Sequence, residues 1–231
     1  MSAAVPVSEQ QRLPEVLELC RTGGARALDL SNGGVGLSRW PFANCERVTA
    51  VPSSNLPFGT RSFDVVVCVD SLELLNPNEL NFVCEELSRV AIGAVIIGVP
   101  YRQDIRVGRS TCSQCGIINP PYAHRISFDE SKLLSLFSAE LEWDRASYSG
   151  EYRWATNPIS VALLDFAGNP FGNYSQEEPC IGCGKRLHPP PDGRTLLQKA
   201  ATRAAMIINR VQAVGVRSHA KYIDVRFRRK G

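Results

Sequence analysis

The stretch that decides the fold is residues 61–100, RSFDVVVCVDSLELLNPNELNFVCEELSRVAIGAVIIGVP. Phe63 to Val69 is an almost unbroken apolar run, rich in β-branched valine, with Asp64 alone at its mouth. Such a run suits a strand buried on both faces, as in a parallel sheet. From Pro77 the period changes. Leu80, Val83, Cys84, Leu87 and Val90 recur at helical spacing, with Glu79, Glu85, Glu86 and Arg89 on the other side. Ala94 to Val99 is a second buried strand, stopped by Pro100. Strand, crossover helix and parallel strand make a βαβ unit. In open α/β sheets ligands bind beyond the carboxyl ends of the strands. Here that end delivers Asp70, Ser71, Leu72 and Glu73 out of a buried strand. Asn76 and Pro77 carry an ordinary helix-start signal as well.

Upstream, Leu13, Val16, Leu17 and Cys20 predict a short amphipathic helix, closed by Thr22-Gly23-Gly24. Ala25 to Leu30 (ARALDL) reads as a strand running into SNGGVG. A glycine turn after a strand lets a nucleotide-type ligand approach backbone N–H groups, and it is equally an everyday tight turn. Cys45 to Val51 is a further strand candidate; the preceding LSRWPFAN, with its central proline, leaves little room for a full helix. Downstream the pattern predicts a helix over 129–137, a strand over 141–148, an apolar run of undecided type at 160–166, a helix over 194–211 and a strand over 221–228. HPPPDG at 188–193 reads as a stiff linker. The chain divides into a first core half (1–107), an insertion with later core elements (108–190), and a basic helix with a final strand (191–231).

At 231 residues the chain is long enough for one sizeable α/β domain. No apolar run approaches the ~20 residues of a membrane helix, and the N-terminus has no basic region followed by an apolar core, so a cytoplasmic protein is expected. The net charge is +3, unevenly spread: residues 185–231 hold 12 Lys or Arg against two acids. A basic tail suits nucleic acid, anionic lipid or an acidic substrate, or a solvated surface facing its own acidic domain. In the helix over 194–211, Leu196, Leu197, Ala200, Ala204, Ile207, Ile208 and Val211 share one face, opposite Lys199, Arg203 and Arg210. That face suits either core packing or peripheral contact with an anionic surface through 194–230. Nucleic acid ranks lower, because interleaved aromatics and a recognised module are missing.

Of eight cysteines, Cys20, Cys45, Cys68 and Cys84 sit singly in apolar patterns and read as core. Cys112, Cys115, Cys180 and Cys183 form two CxxCG pairs, CSQCG and CIGCG. Two intervening residues let both thiolates reach one cation from a tight turn, and the following glycine lets the backbone fold around the sulfurs. Four thiolates close a tetrahedral site, so a structural zinc ion is expected. Two disulfides, a redox pair or an iron–sulfur cluster are the competing readings.

Together these residues resemble the class I S-adenosylmethionine-dependent methyltransferases, and within them a bacterial branch with a CxxC knuckle after the fourth strand. ALDLSNGG is similar to the family's first glycine motif, and LPFGTRSFDVVVCVDSLELL resembles its LPF…SFDvVv…LEHl stretch. CSQCG…AHRISFDESKL is similar to a C-x-x-CG…H-x-x-SFdeekL segment. The resemblance implies an α/β fold, a Rossmann-like, mostly parallel seven-stranded sheet flanked by helices, with a small zinc-knuckle insertion. It implies S-adenosylmethionine as cofactor, with Asp29, Ser31, Asn32, Gly33 and Gly34 on its methionine part, Asn55 and Leu56 near the adenine, and Asp70, Ser71 and Leu72 at the methyl-donating end. The implied acceptor is a small molecule or a glycan, lipid-linked ones included. His124 is the candidate base, or else a packing histidine beside the knuckle. The chain departs from the family at Ser31 and Val35, where glycine is preferred, and at Pro52, where an acid should bind the ribose. Only four residues separate Val51 from LPF, where the family has a helix and another strand. These departures open an alternative: an inactive methyltransferase-like scaffold that binds a partner protein.

Overall fold

The structure, a computed structural model, describes residues 26–31, 44–47, 55–137, 139–154, 156–190 and 193–231, with Val16 and Glu18 singly. In chain order its first elements are β1 (Arg26–Asp29), β2 (Asn44–Arg47), β3 (Phe63–Val69), α1 (Pro77–Val90) and β4 (Ala91–Pro100). There follow β5 (Ser110–Thr111), β6 (Ile118–Asn119), α2 (Glu130–Phe137), β7 (Leu141–Ser149), α3 (Pro158–Phe166), α4 (Leu196–Ala213) and β8 (Tyr222–Arg229). The chain forms two compact units, the described residues of Met1–Gln103, Ile126–Glu151 and Ala220–Gly231 in one and of Asp104–Arg125 and Tyr152–His219 in the other.

The first unit is built on a six-stranded sheet in the order β2-β1-β3-β4-β8-β7. β2, β1, β3 and β4 pair in parallel, β8 is antiparallel to β4, and β7 is antiparallel to β8. Five strands therefore point the same way, and the carboxyl ends of β1, β3, β4 and β7 share one edge. The valines of β3 are buried on both faces, as their unbroken run requires. α1 lays Leu80, Val83, Cys84 and Leu87 into the core against Val66 and Cys68. Its start is fixed by Pro77 at the first helical position and by Glu79, whose Oε2 accepts the Asn76 N–H at 3.1 Å. Phe227 of β8 closes the far side between Phe137 and Trp143, with ring centroids 4.7 and 5.5 Å away.

The second unit holds the β5–β6 hairpin, both CxxC turns and a pair of helices. α3 and α4 lie antiparallel. The Asn157 amide before α3 donates to Gln212 near the end of α4 at 2.9 Å, and Gln198 near the start of α4 reaches the Phe166 carbonyl at 3.4 Å.

Several expectations need adjustment. The undecided run at 160–166 is helical, because Asn157 accepts the Ser160 N–H at 2.9 Å and Pro158 opens a helix. Among the described residues the sheet has six strands where seven were expected. Cys68 and Cys84 are core, whereas Cys45 is only half-buried. The apolar face of α4 is not core: Leu196, Leu197, Ile207 and Val211 are exposed. Apart from Val16 and Glu18, the helix expected at 13–20, with Cys20, lies outside the described residues.

Candidate functional site

At the shared carboxyl edge, β1 and β3 are joined beyond their last paired residues by a small set of polar groups. Asp29 is fully buried, and its Oδ1 accepts the Ser31 N–H at 2.9 Å. The Ser31 hydroxyl in turn accepts the Val69 N–H at 3.1 Å. The Ser71 hydroxyl lies 3.0 Å from the carbonyl oxygens of both Leu30 and Val69. Asp70 donates its N–H to the Gly98 carbonyl at 2.9 Å, which brings β4 into the same knot. Asp70 also has a φ of +52°, left-handed backbone that a residue with a Cβ rarely adopts and that clusters at functional sites. Leu72, buried, begins a short 3₁₀ turn.

Asp29, Ser31, Asp70 and Ser71 thus form one constellation, although forty residues separate its halves. The two serine hydroxyls are engaged by the sheet's own backbone. Asn32, Gly33 and Gly34 lie outside the described residues, as do Val35 and Pro52. Leu56 is buried and Asn55 exposed in the LPF loop, which is tied to α1. Glu86 accepts the Leu56 N–H at 2.8 Å and two Arg89 hydrogen bonds at 2.7 Å, while Arg89 also donates to the carbonyls of Phe58 and Leu56.

A second cluster at the ends of β4 and β7 escaped the sequence reading. Glu130 Oε1 accepts the phenol hydroxyls of Tyr101 at 2.7 Å and Tyr148 at 3.0 Å, and Arg102 meets Oε2 at 3.3 Å. Burial, then the neighbouring carboxylate, pushes the Tyr101 phenol up to about 12. Burial opposes charge on Glu130, yet the hydrogen bonds from the two phenols and the Arg102 charge hold its carboxyl below the ordinary range. These residues are far apart in sequence, so no spacing rule could have joined them; the acid opening α2 was the available signal.

The cysteines come together in the second unit. The sulfurs of Cys112, Cys115, Cys180 and Cys183 all lie within 4.8 Å of one another, with Cys112–Cys183 at 3.7 Å and Cys115–Cys180 at 3.5 Å. A tetrahedral ion with metal–sulfur bonds of about 2.3 Å needs sulfurs about 3.8 Å apart, so the set can hold such an ion. The two turns are the same local structure. Gly116 N–H returns to the Cys112 carbonyl and Gly184 N–H to the Cys180 carbonyl, both at 2.9 Å. Cys112 and Cys180 in turn donate to the carbonyls of Ile117 and Lys185, five residues on, at 2.9 and 2.8 Å. Gly116 and Gly184 have φ of +73° and +68°, which is why glycine follows each pair. Against burial, the N–H groups of Cys183 and Gly182 and the adjacent thiols lower Cys180 to about 6. The Ile117 N–H favours the Cys115 thiolate, but desolvation and the other sulfurs push it up to about 12. Four thiolates at this spacing repel one another, and a cation bound among them would offset that repulsion.

His124 is half-buried, directly after a 3₁₀ turn in which Tyr122 and Ala123 both have positive φ. Its ring lies 5.7 Å from that of Tyr122, and it belongs to the second unit, with the cysteines.

No family model matches the chain, and no curated protein matches it. Solved structures do. A protein of Bacillus halodurans C-125 assigned as a methyltransferase is 14% identical over 94% of this chain and 98% of its own, with a TM-score of 0.50. Two further matches are an S-adenosylmethionine-dependent methyltransferase of Mesorhizobium loti (11% identical, 98% of this chain, 100% of its own, TM-score 0.47) and the Burkholderia thailandensis 1,6-didemethyltoxoflavin-N1-methyltransferase, solved with S-adenosylhomocysteine (11%, 98%, 80%, TM-score 0.48). The fold is the Rossmann-like α/β fold of the first of these.

Proposed function

We propose that the chain is an S-adenosylmethionine-dependent methyltransferase acting on a small-molecule or glycan acceptor, lipid-linked glycans included, with one structural zinc ion on Cys112, Cys115, Cys180 and Cys183. The observation that carries this reading is the knot at the ends of β1 and β3: a buried Asp29 bonded to Ser31, which is bonded in turn to Val69, with a strained Asp70 immediately after β3. In this assignment Asp29, Ser31, Asn32, Gly33 and Gly34 hold the methionine part of the cofactor. Asn55 and Leu56 flank the adenine, and Asp70, Ser71 and Leu72 line the methyl-donating end. S-adenosylmethionine held there would supply an electrophilic methyl group on its sulfonium for an acceptor lone pair, with S-adenosylhomocysteine as the leaving group and the acceptor proton going to a base or to water. The protein's part is chiefly to align the two reactants and exclude water. For a hydroxyl acceptor His124 is the assigned base.

The alternative, an inactive scaffold, is favoured by a separate observation. Only seven residues, 48–54, connect β2 to Asn55, where the family has a helix and another strand, and the Ser31 and Ser71 hydroxyls are already bonded to backbone. Calorimetric titration of the metal-loaded protein with S-adenosylmethionine and S-adenosylhomocysteine separates the two. Micromolar binding, weakened by Asp29→Ala and Asp70→Ala, supports the enzyme. No heat near millimolar ligand, with an unchanged melting temperature, means the scaffold.

A further inference from the structure

α4 packs with its usual preferences reversed. At about 100° per residue its side chains fall into three arcs. The arc turned inward carries Gln198, Ala201, Thr202, Ala205 and Gln212, a stripe of small and polar groups. The bulky residues face out: Leu196 and Leu197 are 85% and 74% exposed, Ile207 and Val211 65% and 70%. Lys199, Arg203 and Arg210, also exposed, form the third arc, directly bordering this apolar one. On α3, Ile159 and Phe166 are likewise more than half exposed, and its one charged residue, Asp165, is paired with Arg109 at 2.9 Å.

Large side chains on water are costly unless something covers them, and charge says what does. Residues 193–223 contain six Lys or Arg and no acid. A second copy of the α4 face would set like charges against one another, with no carboxylate within 193–223 to pair them. Nucleic acid would meet the basic arc but leave the leucines, isoleucine and valine uncovered. An anionic bilayer satisfies both arcs, because its phosphates lie immediately above an apolar layer.

We propose that the antiparallel pair α3 and α4 docks flat on an anionic membrane surface. The apolar arc of α4 enters the boundary between headgroups and acyl chains, and Lys199, Arg203 and Arg210 meet lipid phosphates. The proposal does not depend on methyl transfer.

Flotation of the full metal-loaded chain tests it, with vesicles of phosphatidylcholine alone or mixed with phosphatidylglycerol. Co-flotation with the mixed vesicles only is expected, falling as salt is raised. Replacing Lys199, Arg203 and Arg210 together by glutamine should lower partitioning roughly 100-fold, about fivefold per charge. Ile207→Asp should abolish flotation without lowering the melting temperature, since its site is exposed. Equal partitioning into both vesicles, or no flotation of the folded protein with anionic ones, overturns the proposal. So does a dimer in sedimentation velocity that Ile207→Asp dissociates, because the face would then cover a second copy.

Discussion

Oδ1 of Asn119 accepts the backbone N–H of Ile181 at 2.8 Å, while its own amide donates to the carbonyls of Ile117 and Ser110 at 2.9 and 3.3 Å. One buried side chain thus shapes the first cysteine turn and grips the second, 62 residues later. Asn119→Leu removes the grip and takes from the Ile181 N–H the acceptor that Asn119 supplies. The expected cost is about 2 kcal/mol, seen as a lower melting temperature together with faster metal loss to a chelator.

Metal analysis of the purified protein should return one zinc per chain, without the visible absorbance of an iron–sulfur cluster. Cys180→Ser should prevent its retention. Chelation should melt the second unit, with loss of helical circular dichroism from α3 and α4, because binding and folding free energy are shared at such sites.

Asp70 offers a way to separate strain from function. Glycine adopts a φ of +52° without penalty, so Asp70→Gly should raise stability by about 1 kcal/mol in chemical denaturation. The same substitution should weaken S-adenosylmethionine binding in calorimetry. A loss of stability would show that the Asp70 side chain holds the edge together.

Glu86 should make the first unit acid-sensitive. Hydrogen bonds from Arg89, against a partial burial that opposes charge, hold its carboxyl below the ordinary value, with the Leu56 N–H adding to them. A depressed folded-state pKa contributes stability that is complete above the unfolded carboxylate pKa of about 4.3 and is lost as pH falls through the lower folded value. Glu86→Gln should flatten the acid limb of a stability–pH curve while lowering its plateau.

Gly172 lies where the chain passes close to itself. A Cβ there would collide with the Arg109 carbonyl and stand 2.9 Å from Ser110 Cα, both backbone, so neither neighbour can rotate away. Gly172→Ala should cost about 2 kcal/mol in thermal denaturation. Gly182→Ala meets only the tip of the flexible Ile117 side chain and should cost less.

The βαβ core was legible because its signals are local: an unbroken valine run, a 3.6-residue period, a cap and a proline. The cysteine cluster was legible for a related reason, since each turn carries its own glycine and only the meeting of the two turns is long-range. The Tyr101–Glu130–Tyr148 cluster was not, because it is assembled by strand order rather than by spacing. In α4 periodicity found the stripe of large residues but not its direction. Hydrophobic period alone does not say whether an apolar face meets protein or solvent; the small, polar stripe of Ala201, Thr202 and Ala205 on the other side was the clue.

β8 reaches its place between β4 and β7 only after the chain has run through 72 residues beyond β7. Until then both neighbours present open edges, and the sheet waits on a long loop to close. Speed of folding, and exposure to wrong pairing meanwhile, are therefore set largely outside the sheet. A metal ion that compacts residues 104–125 and 152–219 early would shorten that wait. Zinc should then act as a folding accelerator for a sheet whose strands contribute none of its ligands.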